Sequence, residues 1–209
     1  MSNRNSEIVR KGYNKIAEKY DKQRKLYQSK PLLLRFLKHT LENSKVLDLG
    51  CGAGIPVSGF LADKGCKVTG IDFSDGMLEL ARKNVPNARF IKMDITKIKF
   101  KENSFDGAVS FYAIIHIPRQ HHPKIYKKLH KILKPDAIIM FNAGGTNKWE
   151  ETSRDYLGVP MFWSFHHPKT TIRIISKAGF NIIWSKILKI GNEKQFWVLA
   201  KLKKSNDFK

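Results

Sequence analysis

Acidic residues are scarce in this chain: 18 Asp and Glu face 39 Lys and Arg in 209 residues, for a net charge of +21. Cysteine is scarcer still. Cys51 and Cys66 are the whole complement, too few for a disulfide framework, and a reducing cytoplasm fits. No apolar run approaches the roughly 20 residues of a membrane span. The first thirty residues carry charges throughout and no apolar h-region, so no secretory signal is expected. Disorder is excluded by a content of 42% hydrophobic and 11% aromatic residues. Internal repeats and low-complexity tracts are absent. The length suits one domain with a sizeable core.

Arginine is also sparse, 9 against 30 lysines, although Arg is the residue suited to bidentate phosphate recognition. The charge is spread evenly: residues 1–44, 45–142 and 143–209 each carry +7. An even, lysine-dominated excess reads as a solvated surface. A nucleic-acid partner is possible but not favoured, and no membrane partner is expected.

What the chain does have is an alternation of short apolar runs and amphipathic stretches. Apolar residues at three- to four-residue spacing predict a helix over 6–28, capped at Asn5 or Ser6, broken by Pro31 and followed by a second helix over 32–41. Strands are predicted over 45–49, 67–71, 89–93, 105–111 and 137–142. Helices are predicted over 55–64, 74–84 and 118–133, with Pro56 in a first turn and Ser74 as a cap. Residues 143–167 read as irregular and aromatic. A helix over 168–178 and two strands over 180–190 and 195–202 finish the chain, joined so tightly that they must pair antiparallel. The pattern predicts an α/β fold, a Rossmann-like three-layer sandwich around a seven-stranded, mostly parallel sheet ending in an antiparallel hairpin. The expected organisation is an N-terminal helical lid over 1–44, a core over 45–142, an aromatic insertion on the substrate side over 143–167, and a helix with hairpin over 168–209 completing the same domain.

The densest signal is Val46-Leu47-Asp48-Leu49-Gly50-Cys51-Gly52-Ala53-Gly54, followed by Gly70-Ile71-Asp72. Glycines let a backbone approach a ligand closely, and an acid at the end of the next strand can hold a ribose. The dinucleotide fingerprint needs its third glycine at 55, where this chain has Ile. A ligand with a ribose and no phosphate therefore fits better than a nicotinamide dinucleotide, and S-adenosyl-L-methionine (SAM) is the common case.

These residues resemble the class I SAM-dependent methyltransferases, in their small-molecule branch, over nearly the whole chain. Tyr13 to Asp21 looks like the N-terminal signature of that family, Val46–Gly54 its first motif and Val68–Met77 its second. Met93-Asp94-Ile95 is similar to the adenine-recognition segment, Ser104–Ser110 to the fourth strand, and Leu133-Lys134-Pro135 to the turn before the fifth. The family's Pro-Gly-Gly at that turn is Pro135-Asp136-Ala137 here, which implies an altered turn. Asp tolerates a left-handed conformation better than most residues.

The resemblance implies a SAM site made by Gly50, Cys51, Gly52 and Gly54, with Asp72 on the ribose hydroxyls and Phe73 and Met77 against the adenine. Asp94 and the Ile95 amide would read the adenine edge. Asp48 would organise the glycine loop or approach the methionine ammonium, and Ser110 and Phe111 would flank the sulfonium. Tyr13 and Tyr20 share one helix face and would cover the cofactor or touch the acceptor. His116 and His166 are the candidates for a general base, needed only if the acceptor atom is protonated. His121 and His122 are expected to be solvated at a helix start, and no metal is expected. Methyl transfer to a small-molecule acceptor by in-line displacement is the expected reaction, with an RNA or protein methyltransferase as the alternative motivated by the charge. Against that alternative, the segment after the fourth strand reads Ser-Phe-Tyr-Ala and lacks an Asn-Pro-Pro-Tyr type of motif. A SAM-binding protein without activity fits a complete motif set less well.

Overall fold

A computed structural model describes residues 2–23, 26–190 and 193–203. Two helices come first, α1 (Ser2–Gln23) and α2 (Leu26–Leu37). The core then alternates β1 (Lys45–Leu49), α3 (Val57–Asp63), β2 (Lys67–Asp72), α4 (Asp75–Asn84), β3 (Arg89–Lys92), β4 (Phe105–Ser110), α5 (His122–Ile132) and β5 (Leu133–Asn142). A hairpin β6 (Trp149–Tyr156) and β7 (Val159–Phe165) follows, then α6 (Pro168–Lys177), β8 (Phe180–Ile190) and β9 (Glu193–Leu202).

Seven strands form one sheet in the order β3-β2-β1-β4-β5-β9-β8. The first five pair in parallel, and β9 pairs antiparallel with both β5 and β8. The expected architecture is therefore present. Strand β1 explains why its run is continuously apolar: Val46, Leu47 and Leu49 are all buried, because helices cover both sheet faces. One face packs Ile125, Leu129 and Ile175 of α5 and α6; the other packs Leu33, Phe36, Phe60 and Leu61 of α2 and α3. The strand order reverses between β1 and β4, and ligands in open α/β sheets bind beyond the strand carboxyl ends at such a point.

Three local expectations need correction here. Asn5 and Ser6 lie inside α1 rather than capping it, and the expected stretch over residues 24–25 lies outside the described residues. Pro31 does not end a helix; it sits within α2, where the lost hydrogen bond is offset by burial of Leu32, Leu33 and Phe36. The 143–167 stretch is not irregular: β6 and β7 form a two-stranded antiparallel sheet of their own. Its turn is Leu157-Gly158, both left-handed (φ 58° and 93°), as a two-residue hairpin turn requires. The Gly191-Asn192 part of the expected last turn lies outside the described residues.

The Leu133 to Asp136 segment, expected as a turn before a strand over 137–142, is instead the start of β5, with an irregular register against β4. Asp136 adopts φ 65° and its carboxylate pairs with Lys201 Nζ at 2.9 Å. The β4–β5 register jumps there, from Phe105 opposite Leu133 to Gly107 opposite Ile138.

Candidate active site

A cavity of about 910 Å³, counted with its open mouth, lies at the carboxyl ends of β1, β2 and β4. Its floor is the loop after β1. Gly50 and Cys51 donate their amides to Ile71 O (2.8 and 3.0 Å), so the chain doubles back over the end of β2. Gly50 has φ +72°, and a Cβ there would overlap that of Ala113. Only glycine permits both the turn and the close approach.

Asp72 ends β2 and is buried. Its Oδ2 accepts from the Gly52 amide at 3.0 Å and its Oδ1 from the Ser74 amide at 2.9 Å. Burial raises its carboxyl above the ordinary range despite these amides, which pull the other way. Ser74 then caps α4 by accepting from Met77 N at 3.2 Å. Asp94 caps the helical turn after β3, its Oδ1 accepting from Thr96 N and Oγ1, both at 2.7 Å. Asp48 is buried beneath the glycine loop and accepts from Ser58 Oγ at 2.7 Å. Burial pushes the Cys51 thiol up, with Asp72 and Asp48 adding to the effect, so it stays protonated. Asp48, Gly50, Cys51, Gly52, Asp72, Phe73, Met77, Asp94, Ile95 and Phe111 all line this one cavity.

The roof and far wall come from distant sequence. Ser6, Val9, Tyr13 and Tyr20 of α1 face the cavity. The rings of Tyr13 and Tyr20 meet edge-on at 5.2 Å. Asn14 fastens this helix to the start of α4, its Oδ1 accepting from Ser74 Oγ (2.7 Å) and Gly76 N (3.2 Å). The segment after β4 supplies Tyr112, at φ 63°, and His116. Tyr112 packs edge-on against Trp197 at 5.6 Å.

His116 is buried. Its Nδ1 lies 2.7 Å from Phe162 O and its Nε2 lies 2.8 Å from Tyr13 OH. A carbonyl can only accept, so Nδ1 carries the proton and Tyr13 OH donates to the Nε2 lone pair. Burial lowers the pKa of His116 to about 4, opposed by the bond to Phe162 O. A second set of contacts fixes the β6–β7 hairpin to this segment. Arg119 pairs with Glu150 at 2.7 Å, Ser164 Oγ donates to Glu150 Oε2 at 2.6 Å, and the Arg119 amide donates to Ser164 Oγ at 2.9 Å.

Three expected site residues lie elsewhere. Ser110 is fully buried with its hydroxyl donating to Leu49 O at 3.1 Å, tying β4 to β1 behind the cavity wall. Gly54 faces Ala81, Val85 and Phe90 rather than the cavity. His166 donates to Arg119 O at 3.0 Å and does not line the cavity. His122, expected in solvent, is buried against His166 and donates to Ile117 O at 2.9 Å; burial lowers its pKa to about 4. Sequence reasoning missed Ser6, Val9, Asn14, Tyr112 and the β6–β7 hairpin. Only the hairpin had a local signal, the glycine at 158.

The sequence of residues 46–136 matches the methyltransferase domain family. A sterol 24-C-methyltransferase of Candida albicans is 27% identical over 173 residues, covering 73% of this chain and 45% of that protein. The chain spans about half the length of the curated relatives it matches. Among solved structures, a SAM-dependent methyltransferase from Methanosarcina mazei superposes with a TM-score of 0.70 at 24% identity, covering 80% of this chain and 96% of that one. The 1,6-didemethyltoxoflavin-N1-methyltransferase of Burkholderia thailandensis, with bound 1,6-didemethyltoxoflavin and S-adenosylhomocysteine, superposes with a TM-score of 0.78 at 16% identity, covering 98% and 91%. SAM is the cofactor of this group. Residues 46–136 thus carry the match to a methyltransferase domain, and the chain shares the fold of SAM-dependent methyltransferases.

Proposed function

We propose that this protein transfers the SAM methyl group to a small-molecule acceptor, with Tyr13 and His116 receiving the acceptor's proton. One observation carries the reading. A single cavity joins the strand-end acids Asp72 and Asp94 to an uncharged wall of Tyr13, Tyr112 and His116, roofed by α1. A roofed cavity admits a small molecule more readily than a folded RNA. The named substrates of the similar proteins, a sterol and 1,6-didemethyltoxoflavin, are small molecules too.

When bound, the cofactor supplies an already activated methyl group, so the protein's task is alignment and exclusion of water. Asp72 would accept from both ribose hydroxyls while keeping its two amide bonds. Asp94 and the Ile95 amide would hold the adenine edge, and Phe73 and Met77 its faces. The glycine loop and Asp48 would hold the methionine end, and Phe111 would stand near the sulfonium.

With the cofactor bound, an acceptor held at this wall would displace its methyl group in line, the new bond forming as the sulfur–carbon bond breaks. The acceptor's proton passes to the Tyr13 oxygen as the Tyr13 proton moves to His116 Nε2. The positive charge gained by His116 would be offset by the positive charge the cofactor loses on giving up its methyl group, so the total charge of this buried site would be conserved. That balance makes a low-pKa histidine usable here.

The test is calorimetry with SAM together with a labelled-methyl screen against small-molecule and RNA pools. Micromolar-range binding that Asp72→Ala abolishes is expected, with label in the small-molecule pool. Unchanged binding in the variant would sink the site assignment, and label entering RNA would sink the acceptor class.

A further inference from the structure

A second cavity, of about 790 Å³ with its mouth, adjoins the first. The two are contiguous, because Ser6, Asp94 and Thr96 line both. The remainder of its lining is Lys97, Lys124 and His121 over an apolar floor of Pro118 and Ile125. It therefore opens the site outward between the start of α1 and the start of α5.

Its electrostatics differ from those of the first cavity. In a chain of net charge +21, the lining of the first cavity includes no Lys or Arg among the described residues. Among the described residues, the lysines that line either cavity, Lys97 and Lys124, are at the second. Lys97 and Lys124 are exposed and have no carboxylate partner among the described residues. Lys128 stands behind them, its Nζ donating to Thr96 O at 2.7 Å. The one acid of the lining, Asp94, already accepts from Thr96 N and Oγ1 through Oδ1. Two ammonium groups beside an apolar floor suit a carboxylate or a phosphate attached to an apolar body.

Resting on the methyl-transfer reading above, we infer that the acceptor is an amphiphile whose acidic group docks on Lys97 and Lys124 while its uncharged body reaches the Tyr13–His116 wall. The acid lies away from the methylated atom, because the wall around His116 offers it no cation. The two lysines set which acceptors enter and leave the chemistry at Tyr13 unaltered.

The experiment uses the full chain saturated with S-adenosylhomocysteine and three probes: 1-naphthyl phosphate, 1-naphthylacetate and the neutral 1-naphthaleneethanol. Dissociation constants are read by calorimetry. At least one anionic probe should bind roughly fivefold or more tightly than the neutral one, the scale of two partly exposed charge contacts. Which anion wins separates a phosphate from a carboxylate acceptor. Lys97→Glu with Lys124→Glu should erase that preference, while the same reversal at the exposed Lys186 and Lys189 of β8 should keep it. The inference is overturned if the wild type shows no preference, whether both probe classes bind alike or neither binds. It is equally overturned if the β8 variant loses the preference as fully as the cavity variant. Failure to bind S-adenosylhomocysteine at all would instead bring down the methyl-transfer reading, so the two failures are distinguishable.

Discussion

The two ends of the main cavity draw their polar atoms from different sources. At the Asp72 end they are backbone amides and carboxylates within one stretch of chain, Gly50 to Thr96, each held by a neighbour close in sequence or by the adjacent strand. At the His116 end they are side chains brought from three remote segments: Tyr13 from α1, His116 from the loop after β4, and the Phe162 carbonyl from β7. The first end is fixed by the sheet itself. The second depends on helices and a hairpin agreeing on where to stand, so substitutions in those segments bear on it more than on the sheet-held end.

Acid should separate the two ends most strongly. His116 and His122 both serve the second end, and both have pKa values near 4 against 6.5 in an unfolded chain. Between those values the unfolded state binds more protons, so stability that is complete above about pH 6.5 is lost as pH falls toward 4. Urea midpoints should drop across this window by the equivalent of a few kcal/mol, and His122→Asn should flatten the slope. Amide exchange should show α1 and the hairpin opening before β1.

Gly50→Ala strikes the first end. A left-handed alanine overlapping Ala113 should destabilise the fold by about 3 kcal/mol and abolish SAM binding, read by denaturation and calorimetry. Retained binding would show that the loop can be repacked.

Tyr13→Phe keeps the ring and removes the bond to His116. Turnover should fall about 10- to 100-fold, with SAM affinity changed less than about threefold. An equal loss in both quantities would place Tyr13 with the cofactor rather than with the acceptor.

The smallest effect belongs to the hairpin fastening. Glu150→Gln weakens the Arg119 pair, which is partly exposed and worth little by itself. The acceptor KM should rise about threefold with SAM binding unchanged, because the variant loosens only the support of the His116 segment.

The same division governs what could be read from the sequence. Asp72, Ser74 and the glycine loop were legible because their partners lie within a few residues or across one strand pairing. The left-handed backbone at Asp136 was legible for a related reason: such a position selects its residue locally. His122 was misread because burial is decided by α6-side packing and His166, far away in sequence. Ser110 was misplaced because strand alternation determines which way it points, and a shift of one residue moves a side chain from the cavity to the sheet interior. The hairpin escaped because Leu157, unlike the Asn or Asp usual before a turn glycine, gives no hint of a left-handed backbone. Pro31 misled because propensity yields to an apolar face that has somewhere to pack.

Helix α1 touches every part of this site. Ser6 borders the basic mouth, Tyr13 holds His116, Asn14 grips the start of α4, and Tyr20 lies over the glycine loop. These residues lie on one helix, so a ligand that shifted α1 at one end would be felt at the other. On the proposed function, occupancy of the cofactor site and of the acceptor site would therefore be thermodynamically linked through α1. By reciprocity, the factor by which bound cofactor tightens the acceptor equals the factor by which bound acceptor tightens the cofactor.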